Sequence, residues 1–377
     1  MTHRFSIITN GNYEHERTGV FLTSRGTIPT PTFMPVATYG VVRGVSAHDL
    51  RKLGAKVVLA NTYHLHERPG ENVVRKLGGL HGFTGWRGPW LTDSGGFQVT
   101  SLSSKVTITN DGVSFRSPLD GKLRDLTPEN AIRIQGVLRS DIAMVLDHCV
   151  PVADRGGGKP NYSQVKDATK RTYHWAKRSL RVTRDSSQSL FGIIQGGEHP
   201  VLRSESANDI ASLNFDGYAH GGLGLGEDLL FRNDVLEEAN QIVPYDKPRY
   251  LMGLGRPSDI IRAVARGIDF FDCVLPTRHG RHGVVFTSEG SLNLKAARFA
   301  ESNDPPDLKC SCHTCQNFSR GYLRHLFRIK DQLAGRLATF HNLHHYFHLM
   351  SEIRKSISQG TFREFSNSKL ALYEKAL

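Results

Sequence analysis

Long hydrophobic runs are missing from the sequence, and cysteine is scarce. No apolar stretch of about 18 residues occurs in the 377 residues, which excludes a helical membrane span. The N-terminal residues also lack the apolar core and small-residue cleavage site of a secretion signal, so we expect a cytoplasmic protein. Only five cysteines are present, and three of them fall within six residues. This pattern favours a reducing compartment and a bound metal over a disulfide framework.

Acidic residues are in the minority. The sequence contains 36 Asp and Glu against 48 Lys and Arg, which gives a net charge of +12 and a pI near 9.5. Residues 291–377 carry half of this excess, with 13 basic and 7 acidic side chains. We therefore expect an acidic partner such as a nucleic acid rather than a neutral metabolite.

A dinucleotide-binding fingerprint is absent as well. Two glycine-rich runs, at 221–226 and 253–255, have neither the full G-x-G-x-x-G spacing after the first strand nor the acidic residue that should follow, which excludes a Rossmann site. Two interpretations of these runs stay open. They are either ordinary turns after strands or places where the backbone approaches a flat ligand with free N–H groups.

Short apolar runs alternate with longer amphipathic stretches over the first 290 residues, which predicts βα units around a parallel sheet. The expected strands are 33–37, 56–60, 90–92, 142–146, 190–194, 218–221, 250–253 and 268–271. Periodicity alone does not separate a closed barrel from an open doubly wound sheet, but eight units in this length favour the barrel. Thr127 followed by Pro128 predicts the start of one helix.

The expected architecture is thus an α/β protein with two parts. Residues 1–290 form a (β/α)8 TIM barrel, and residues 291–377 form a zinc-binding subdomain with C-terminal helices. The glycine-containing segment 153–164 is expected to be a surface excursion.

Polar or glycine residues follow almost every expected strand: Asn61, Asp93, Asp147, Gln195, Gly222, Gly253 and Asp272. In a barrel these positions share one face, which is where chemistry takes place. Two carboxylates there, Asp93 and Asp272, can carry out a displacement at a sugar carbon, one as nucleophile and one as acid and base. Arg278 and Arg281 behind Asp272 indicate chemistry on a polyanion. The alternative is that these acids only cap helices and close turns.

A closed structural zinc site is predicted from Cys310, Cys312, Cys315 and His341, because three thiolates and one imidazole make a tetrahedral set. The fourth ligand stays open at this point, since other histidines lie nearby: His313, His325, His344, His345 and His348. His64 and His66 could suggest a catalytic metal, but no partner lysine or further histidine follows at later strand ends, so we expect none.

Six motifs together closely resemble the bacterial-type tRNA-guanine transglycosylases, also called queuine tRNA-ribosyltransferases. They are TDSGGFQ at 92–98, FGIIQGG at 191–197, FDGYAHGGLGLGE at 215–227, YLMGLG at 250–255, FDCVLPTR at 271–278 and C-x-C-x2-C…H at 310–341. NTYHLHERPG at 61–70 matches as well. The resemblance implies exchange of guanine at the anticodon wobble position for a 7-deazaguanine, normally the 7-aminomethyl precursor of queuine (preQ1), in queuosine biosynthesis.

The resemblance also implies a role for each matching residue. Asp272 would be the nucleophile that forms a covalent ribosyl enzyme, and Asp93 the proton acceptor and donor. Asp147 and Gln195 would bind the base edge, with the Gly222 N–H at its carbonyl, Leu223 near the 7-substituent, and Phe97 and Met252 on the two ring faces. The full set implied to bind the base is Ser94, Gly95, Gly96, Phe97, Asp147, Gln195, Gly222, Leu223 and Met252. The set implied to bind RNA is Gly253, Leu254, Gly255, Arg256, Pro257, Ser258, Asp259, Thr277, Arg278, His279, Gly280 and Arg281.

The implied partners are a second copy of the chain, in a homodimer, and tRNAs for Asp, Asn, His and Tyr. The sequence departs from the family pattern in the segment 147–151, which contains His148, and at Leu225, His279 and His282. Several of these positions border the expected pocket for the 7-substituent. Free queuine is therefore an alternative incoming base, and a silent tRNA-binding subunit is an alternative function.

Overall fold

The computed structural model describes residues 5–102, 106–150, 160–225 and 227–375, and within them the chain forms sixteen strands and fifteen α-helices. The strands are β1 (Phe5–Asn10), β2 (Arg17–Thr23), β3 (Gly26–Thr30), β4 (Thr32–Pro35), β5 (Val58–Ala60), β6 (Trp90–Thr92), β7 (Val106–Ile108), β8 (Val113–Arg116), β9 (Leu123–Leu126), β10 (Ile142–Met144), β11 (Ser189–Ile194), β12 (Gly217–His220), β13 (Arg249–Leu251), β14 (Phe270–Cys273), β15 (Val284–Thr287) and β16 (Gly290–Asn293).

The helices are α1 (Ala47–Leu53), α2 (Thr62–Glu67), α3 (Glu71–Lys76), α4 (Gly79–Thr84), α5 (Gly96–Leu102), α6 (Pro128–Leu138), α7 (Tyr162–Leu180), α8 (Pro200–Ala211), α9 (Leu229–Ile242), α10 (Pro257–Ala265), α11 (Leu275–Arg281), α12 (His313–Asn317), α13 (Arg320–Arg328), α14 (Gln332–Ser358) and α15 (Phe362–Lys375). Ala297–Phe299 adds a short 3-10 helix. No helix in these ranges is both long and apolar enough to cross a membrane. Residues 153–159 of the expected surface excursion, together with Pro151 and Gly226, lie outside the described residues.

Eight parallel strands form a sheet that closes on itself. Their order is β4-β14-β13-β12-β11-β10-β6-β5. A parallel bridge between Val36 and Leu59 joins the two ends, and there the Ala37 N–H donates to the Leu59 carbonyl at 2.7 Å. All six residues of β11 are buried, as expected for a strand covered on both faces. The predicted (β/α)8 barrel is confirmed, and each expected strand overlaps one of these eight.

The last barrel strand differs from the expectation in its bounds. We expected a strand over 268–271 that ends before Asp272, whereas β14 runs from Phe270 to Cys273 and pairs Asp272 with Met34 of β4. The strand ends three residues before Pro276, which lies in the first turn of α11. Asp272 is therefore held by the sheet itself rather than by a loop.

Three small antiparallel sheets were not predicted from the sequence. They are β1-β2-β3, β7-β8-β9 and the pair β15-β16. In strands such as β1, β7 and β16, more buried residues alternate with less buried ones, so these strands lack the continuous apolar runs that identify the barrel strands. The first of these sheets covers the amino ends of the barrel strands. Phe21 of β2 packs edge-to-face on Phe191 and Phe270, with ring centroids 5.8 and 6.0 Å apart.

The helix starts follow the expected capping chemistry. Thr127 caps α6 by accepting a hydrogen bond from the Asn130 N–H at 3.2 Å, and Pro128 occupies its first turn. Towards the C-terminus, α14 packs against the barrel. Tyr346 of this helix lies 4.7 Å from the ring of Phe33 in β4 and donates its hydroxyl to the Gly255 carbonyl at 2.6 Å. The division at residue 290 stays a prediction.

Candidate active site and metal centre

A cavity of about 220 Å³ opens at the carboxyl ends of the barrel strands. The residues around it come from the ends of six strands, because parallel strands of a barrel all end on one face. They are Leu59, Asn61, Asp93, Ser94, Phe97, Gln98, Asp147, Cys149, Gly221, Gly222, Leu223, Gly224, Leu225, Tyr250, Met252, Gly253 and Asp272. Both predicted catalytic carboxylates, Asp93 and Asp272, therefore face one cavity.

Asp93 follows β6 directly and is 7% exposed. Its carboxylate accepts hydrogen bonds from Asn61 Nδ2 at 2.5 Å, the Thr62 N–H at 2.9 Å and Gln98 Nε2 at 2.9 Å. None of these donors is charged. Burial raises the pKa of Asp93 to about 6, and Asp272 acts in the same direction, whereas the three donors lower it. A carboxyl group with this pKa can both give and take a proton near neutral pH.

Asp272 presents a different arrangement of donors. The Tyr250 hydroxyl donates to its Oδ1 at 2.6 Å, and the Gly253 N–H donates to the same oxygen at 2.7 Å. Among the residues that the structure describes, no donor reaches Oδ2. Burial raises the pKa of Asp272, and the hydrogen bonds from Tyr250 and Gly253 oppose this shift. The protein thus fixes one oxygen and leaves the other available to a ligand.

Asp147, three residues beyond β10, completes the group of buried acids. Gln195 Nε2 donates to its Oδ2 at 2.6 Å, and Ser94 Oγ lies 3.4 Å from its Oδ1. Burial raises the pKa of Asp147 to about 6, while the bonds from Gln195 and Ser94 lower it. Gln195 itself does not line the cavity and lies behind Asp147. Gly96 also packs behind it, since a Cβ there would approach the Asp147 carbonyl to 2.9 Å.

The other residues predicted to bind a base lie as follows. Ser94, Phe97, Gly222, Leu223 and Met252 all line the cavity. Phe97 is 46% exposed and Leu223 is buried, so the cavity has one aromatic side chain at its rim and an aliphatic one in its wall. Gly95 lies outside the lining, against Tyr63, where a Cβ would approach the Tyr63 nitrogen to 3.2 Å.

The twelve residues predicted to hold RNA divide by burial. Six are buried: Leu254, Gly255, Pro257, Ser258, Thr277 and Gly280. Asp259, His279 and Arg281 are half-buried, and Gly253, Arg256 and Arg278 are exposed. Asp259 forms an ion pair with Arg232 at 2.9 Å. Side-chain contact with RNA at this surface is therefore open mainly to the arginines and His279.

These arginines lie close together. Burial, Arg43 and Arg278 together lower the pKa of Arg281. Burial lowers the pKa of His279 too, with smaller contributions from Arg256 and Arg278. Arg43 was not predicted to belong to this cluster. A cluster of like charges creates a positive potential, which attracts a phosphate backbone.

Cys310, Cys312, Cys315 and His341 form one group whose ligand atoms all lie within 4.8 Å of one another. His341 Nδ1 lies 3.7, 3.4 and 3.2 Å from the three sulfur atoms in chain order. The His341 Nε2–H donates to the Phe286 carbonyl at 2.8 Å, which leaves Nδ1 as the ligand atom. This set suits a structural metal, and it decides the fourth ligand in favour of His341. His344 lies 3.5 Å from Cys310 but outside the group.

The chain is similar to known proteins over almost its whole length. The family model "Queuine tRNA-ribosyltransferase" matches residues 13–375. The chain is 48% identical to a queuine tRNA-ribosyltransferase of Nitrosomonas eutropha over 353 residues, which cover 93% of this chain and 96% of that protein. It is 46% identical to that of Caldanaerobacter subterraneus over 371 residues, 98% of this chain and 97% of the other. For Bacillus velezensis the identity is 47% over 365 residues, with 96% and 94% covered.

The chain belongs to the queuine tRNA-ribosyltransferase family. The resemblance inferred from the sequence motifs is thereby confirmed, and the members of this family are tRNA-guanine transglycosylases.

No role at the site was predicted from the sequence for Asn61, Gln98 and Tyr250. In this family member their side chains hold the two carboxylates. Asn61 and Gln98 fall within recognised motifs, so their positions were available as a signal. Tyr250 also falls within a recognised motif, YLMGLG at 250–255, but an aromatic residue in a strand is usually read as core, so no role was predicted for its hydroxyl. Only the pairing of β13 with β14 brings its hydroxyl to Asp272.

Proposed function

We propose that this protein replaces guanine at the wobble position of tRNA with a 7-deazaguanine through a covalent ribosyl-enzyme intermediate. One observation carries the proposal. Two carboxylates, the buried Asp93 and the half-buried Asp272, face the same cavity with different hydrogen-bond environments, so one can act as acid and base while the other acts as nucleophile. Membership of the family and the basic surface beside the cavity support it.

In the first half-reaction, Asp272 Oδ2 attacks C1′ of the wobble nucleotide. The C1′–O bond forms as the C1′–N9 bond breaks, and the electron pair of the broken bond goes to guanine. Protonated Asp93 supplies the proton that the departing base takes up. Tyr250 and Gly253 keep Oδ1 of Asp272 fixed, so that Oδ2 approaches the ribose in one orientation.

In the second half-reaction, the incoming 7-deazaguanine gives its N9 proton to Asp93 and attacks C1′. The bond to Asp272 breaks and the carboxylate leaves. Two displacements at C1′ retain the configuration of the nucleoside, and no nucleotide cofactor is consumed. A pKa of about 6 suits Asp93 to this alternation, since it must be protonated before one step and ionised before the next.

Base recognition is assigned to the remaining cavity residues. Asp147, held by Gln195, accepts hydrogen bonds from the amino edge of the base. The Gly222 N–H donates to the base carbonyl. Phe97 and Met252 lie at the cavity where they can cover the ring faces, and stacking on an aromatic ring stabilises a bound base by roughly 1–3 kcal/mol.

We assign the incoming base as the 7-aminomethyl compound, preQ1. This assignment follows the resemblance to the bacterial-type enzymes, and Leu223 and Leu225 line the cavity with aliphatic side chains near the expected 7-substituent. Direct competition of preQ1 and queuine for incorporation into tRNA tests this assignment. Preferential incorporation of queuine would make the protein a salvage enzyme instead.

The substrate tRNAs are those for aspartate, asparagine, histidine and tyrosine, and we propose that the protein works as a cytoplasmic homodimer. Contact with the anticodon stem and loop is assigned to 253–259 and 277–281, where Arg256, Arg278 and Arg281 provide the charge. Chemical crosslinking and light scattering test the dimer.

The metal held by the four-residue group is assigned as one structural zinc ion. Three thiolates and an imidazole form a closed tetrahedral set that leaves no open position for catalysis. The Cys312→Ser variant should lose zinc and unfold at a lower temperature. Metal analysis together with thermal unfolding checks this, and full stability in a zinc-free Cys312→Ser protein would contradict it.

The proposed reaction is tested with tRNA that carries labelled guanine at the wobble position. The protein should release the label in the presence of preQ1, and denaturation during turnover should trap a covalent complex with tRNA. Bound tRNA with neither release nor adduct would indicate a silent tRNA-binding subunit. Activity on simple carbohydrates without activity on tRNA would indicate a glycosidase.

A further inference from the structure

Arg203 is a fully buried cation directly behind the wall of the cavity. It belongs to α8 and is 1% exposed. Its guanidinium donates to four backbone carbonyl oxygens, those of Gly221 at 2.8 Å, Gly197 at 3.1 Å, Gly222 at 3.3 Å and Ile194 at 3.4 Å. One side chain thus ties together the segments that follow β11 and β12.

The bonds to Gly221 and Gly222 determine where the next amide groups point. In a trans peptide the carbonyl and the following N–H point in opposite directions. Arg203 draws the Gly221 carbonyl away from the cavity, so the N–H of Gly222 points towards it. The same holds for the Gly222 carbonyl and the N–H of Leu223. Within the described residues, neither of these two N–H groups has a protein acceptor.

The backbone at Gly221 and Gly222 leaves no room for side chains, and besides Arg203 it is supported by the Gly221 N–H, which donates to the Ile194 carbonyl at 3.0 Å. Gly222 has φ of +66°, a left-handed conformation that an ordinary residue adopts only with strain. A Cβ at Gly222 would also lie 2.6 Å from Gln195 Oε1, and one at Gly221 would lie 2.5 Å from Gln195 Nε2. Only backbone fits beside Gln195, and this backbone is held in place through its carbonyls.

An arginine suits this task because its planar fork offers five N–H donors at fixed angles. A lysine ammonium in the same space is a single point with three donors, and it cannot reach carbonyls of two separate segments with the same geometry. A cation that binds a carbonyl also polarises the amide, which strengthens its N–H as a donor.

We propose that Arg203 is a positioning residue that aims the Gly222 N–H at the carbonyl of the incoming base, and so sets the selectivity for bases that carry this carbonyl. This inference rests on the proposed function, since it takes a 7-deazaguanine as the ligand. Arg203 contacts neither the base nor the reacting atoms and acts through the backbone of the wall.

The test measures binding of two ligands by calorimetry, without tRNA. One is preQ1 and the other is its analogue with hydrogen in place of the carbonyl oxygen. Wild-type protein should bind preQ1 at least about tenfold more tightly, the equivalent of one well-placed hydrogen bond. In Arg203→Lys this preference should fall about tenfold from the wild-type value, because preQ1 should bind about tenfold more weakly and the analogue about as tightly as before. The part of the preference that comes from the ring N1–H, which the analogue also lacks, should remain.

The matched control is Arg249→Lys. Arg249 is also a buried arginine, 3% exposed, and it donates to the Asn240 carbonyl at 2.7 Å, but it lies at the opposite end of the barrel. This variant should lose stability without losing preference for the carbonyl. In steady-state exchange, Arg203→Lys should raise KM for preQ1 and change KM for tRNA by no more than about twofold.

Different outcomes separate this inference from the proposed function. Wild-type protein that binds neither ligand contradicts the proposed function and this inference with it. Unchanged selectivity in folded Arg203→Lys, or in Arg203→Gln if the lysine variant does not fold, overturns the inference alone. Equal loss of selectivity in Arg249→Lys also overturns it. A wild-type preference for preQ1 over the analogue below about threefold would also overturn the inference, because no N–H group would then be directed at the base carbonyl.

Discussion

The two ends of the barrel bury carboxylates among different partners. At the amino end, Asp269 bonds to Arg17 Nη2 at 2.6 Å, and both side chains are fully buried. Asp141, at the same end, accepts the Trp90 N–H at 2.8 Å and lies 3.1 Å from His81 Nε2. At the carboxyl end, Asp93, Asp147 and Asp272 accept hydrogen bonds from amides and hydroxyls, and no arginine or lysine pairs with them within the described residues.

This difference separates stability from chemistry within one scaffold. Asp269, paired with the Arg17 guanidinium, links β2 to the residue before β14 at the end of the barrel that lies away from the cavity. A buried acid that is surrounded by neutral donors loses hydration on burial, and no cation compensates for this loss when it ionises. Its pKa is therefore raised, so that it can transfer a proton near neutral pH. The same residue type therefore has opposite consequences at the two ends, and four substitutions test this.

The largest effect is expected for Asp272→Asn. The amide cannot attack C1′, so exchange should fall about 10,000-fold or more, and no covalent complex should form. Affinity for tRNA should stay nearly unchanged, because the contacts that we propose with the RNA backbone lie elsewhere. Gel analysis of the trapped complex and a filter-binding assay measure the two quantities. An adduct that survives Asp272→Asn would refute its role as nucleophile.

Asp269→Asn should have the next largest effect, and it should act on stability. It leaves the Arg17 guanidinium buried without its counter-charge, which costs roughly 3–5 kcal/mol of unfolding free energy. Urea unfolding measures this loss, and kcat of the folded protein should stay within about twofold.

A surface ion pair gives the control for Asp269→Asn. Arg178 and Glu129 lie 2.7 Å apart with both side chains partly exposed, so Glu129→Gln should cost about 1 kcal/mol or less. Equal losses of unfolding free energy in the two variants would mean that burial does not make the Arg17–Asp269 pair more important for stability than a surface pair.

Of the acids at the two ends of the barrel, only those at the carboxyl end could be predicted from the sequence. Strand-end residues such as Asp93 and Asp272 could be predicted, because a polar residue after an apolar run stands out and a barrel brings such positions together. Asp269 did not stand out. Its partner Arg17 lies 252 residues away at the start of β2, and nothing local in the sequence marks this arginine as buried.

The donors to the carboxylates and the role of Arg203 depend on tertiary contacts in the same way. Tyr250 reaches Asp272 only because β13 pairs with β14. Arg203 lies on a helix whose apolar and polar residues show little separation, so nothing local marks it as facing the cavity wall. Three ligands of the candidate metal site, Cys310, Cys312 and Cys315, could in contrast be predicted because they are close in sequence, whereas only the fold selects His341 among the nearby histidines.

Asp147→Asn should have the opposite sign from Asp269→Asn. Burial raises the pKa of Asp147 from 3.8 in the unfolded chain to about 6, so at pH 8 its ionised form opposes folding by roughly 1–3 kcal/mol. The amide removes this cost, and the variant should be more stable than wild type at pH 8.

The pH dependence of this gain follows from the same shift. As the pH falls through 6, folded wild-type protein takes up a proton at Asp147 and the cost shrinks, until below pH 4 it is gone. The stability gain of Asp147→Asn should therefore vanish between pH 6 and pH 4 in urea unfolding series. A gain that does not depend on pH would mean that Asp147 is not protonated in the fold.

The smallest effect is expected for Tyr250→Phe, which removes one of the two donors to Asp272. The hydrogen bond from Tyr250 lowers the pKa of Asp272, so its loss raises that pKa further and shifts the acidic limb of the pH–rate profile to higher pH. Exchange at neutral pH should fall about tenfold, the range expected for one hydrogen bond to a charged group. Tyr218→Phe is the control, because the Tyr218 hydroxyl bonds to the Ala211 carbonyl on the outside of the barrel at 3.4 Å. An unshifted limb in Tyr250→Phe would mean that Gly253 alone sets the ionisation of the nucleophile.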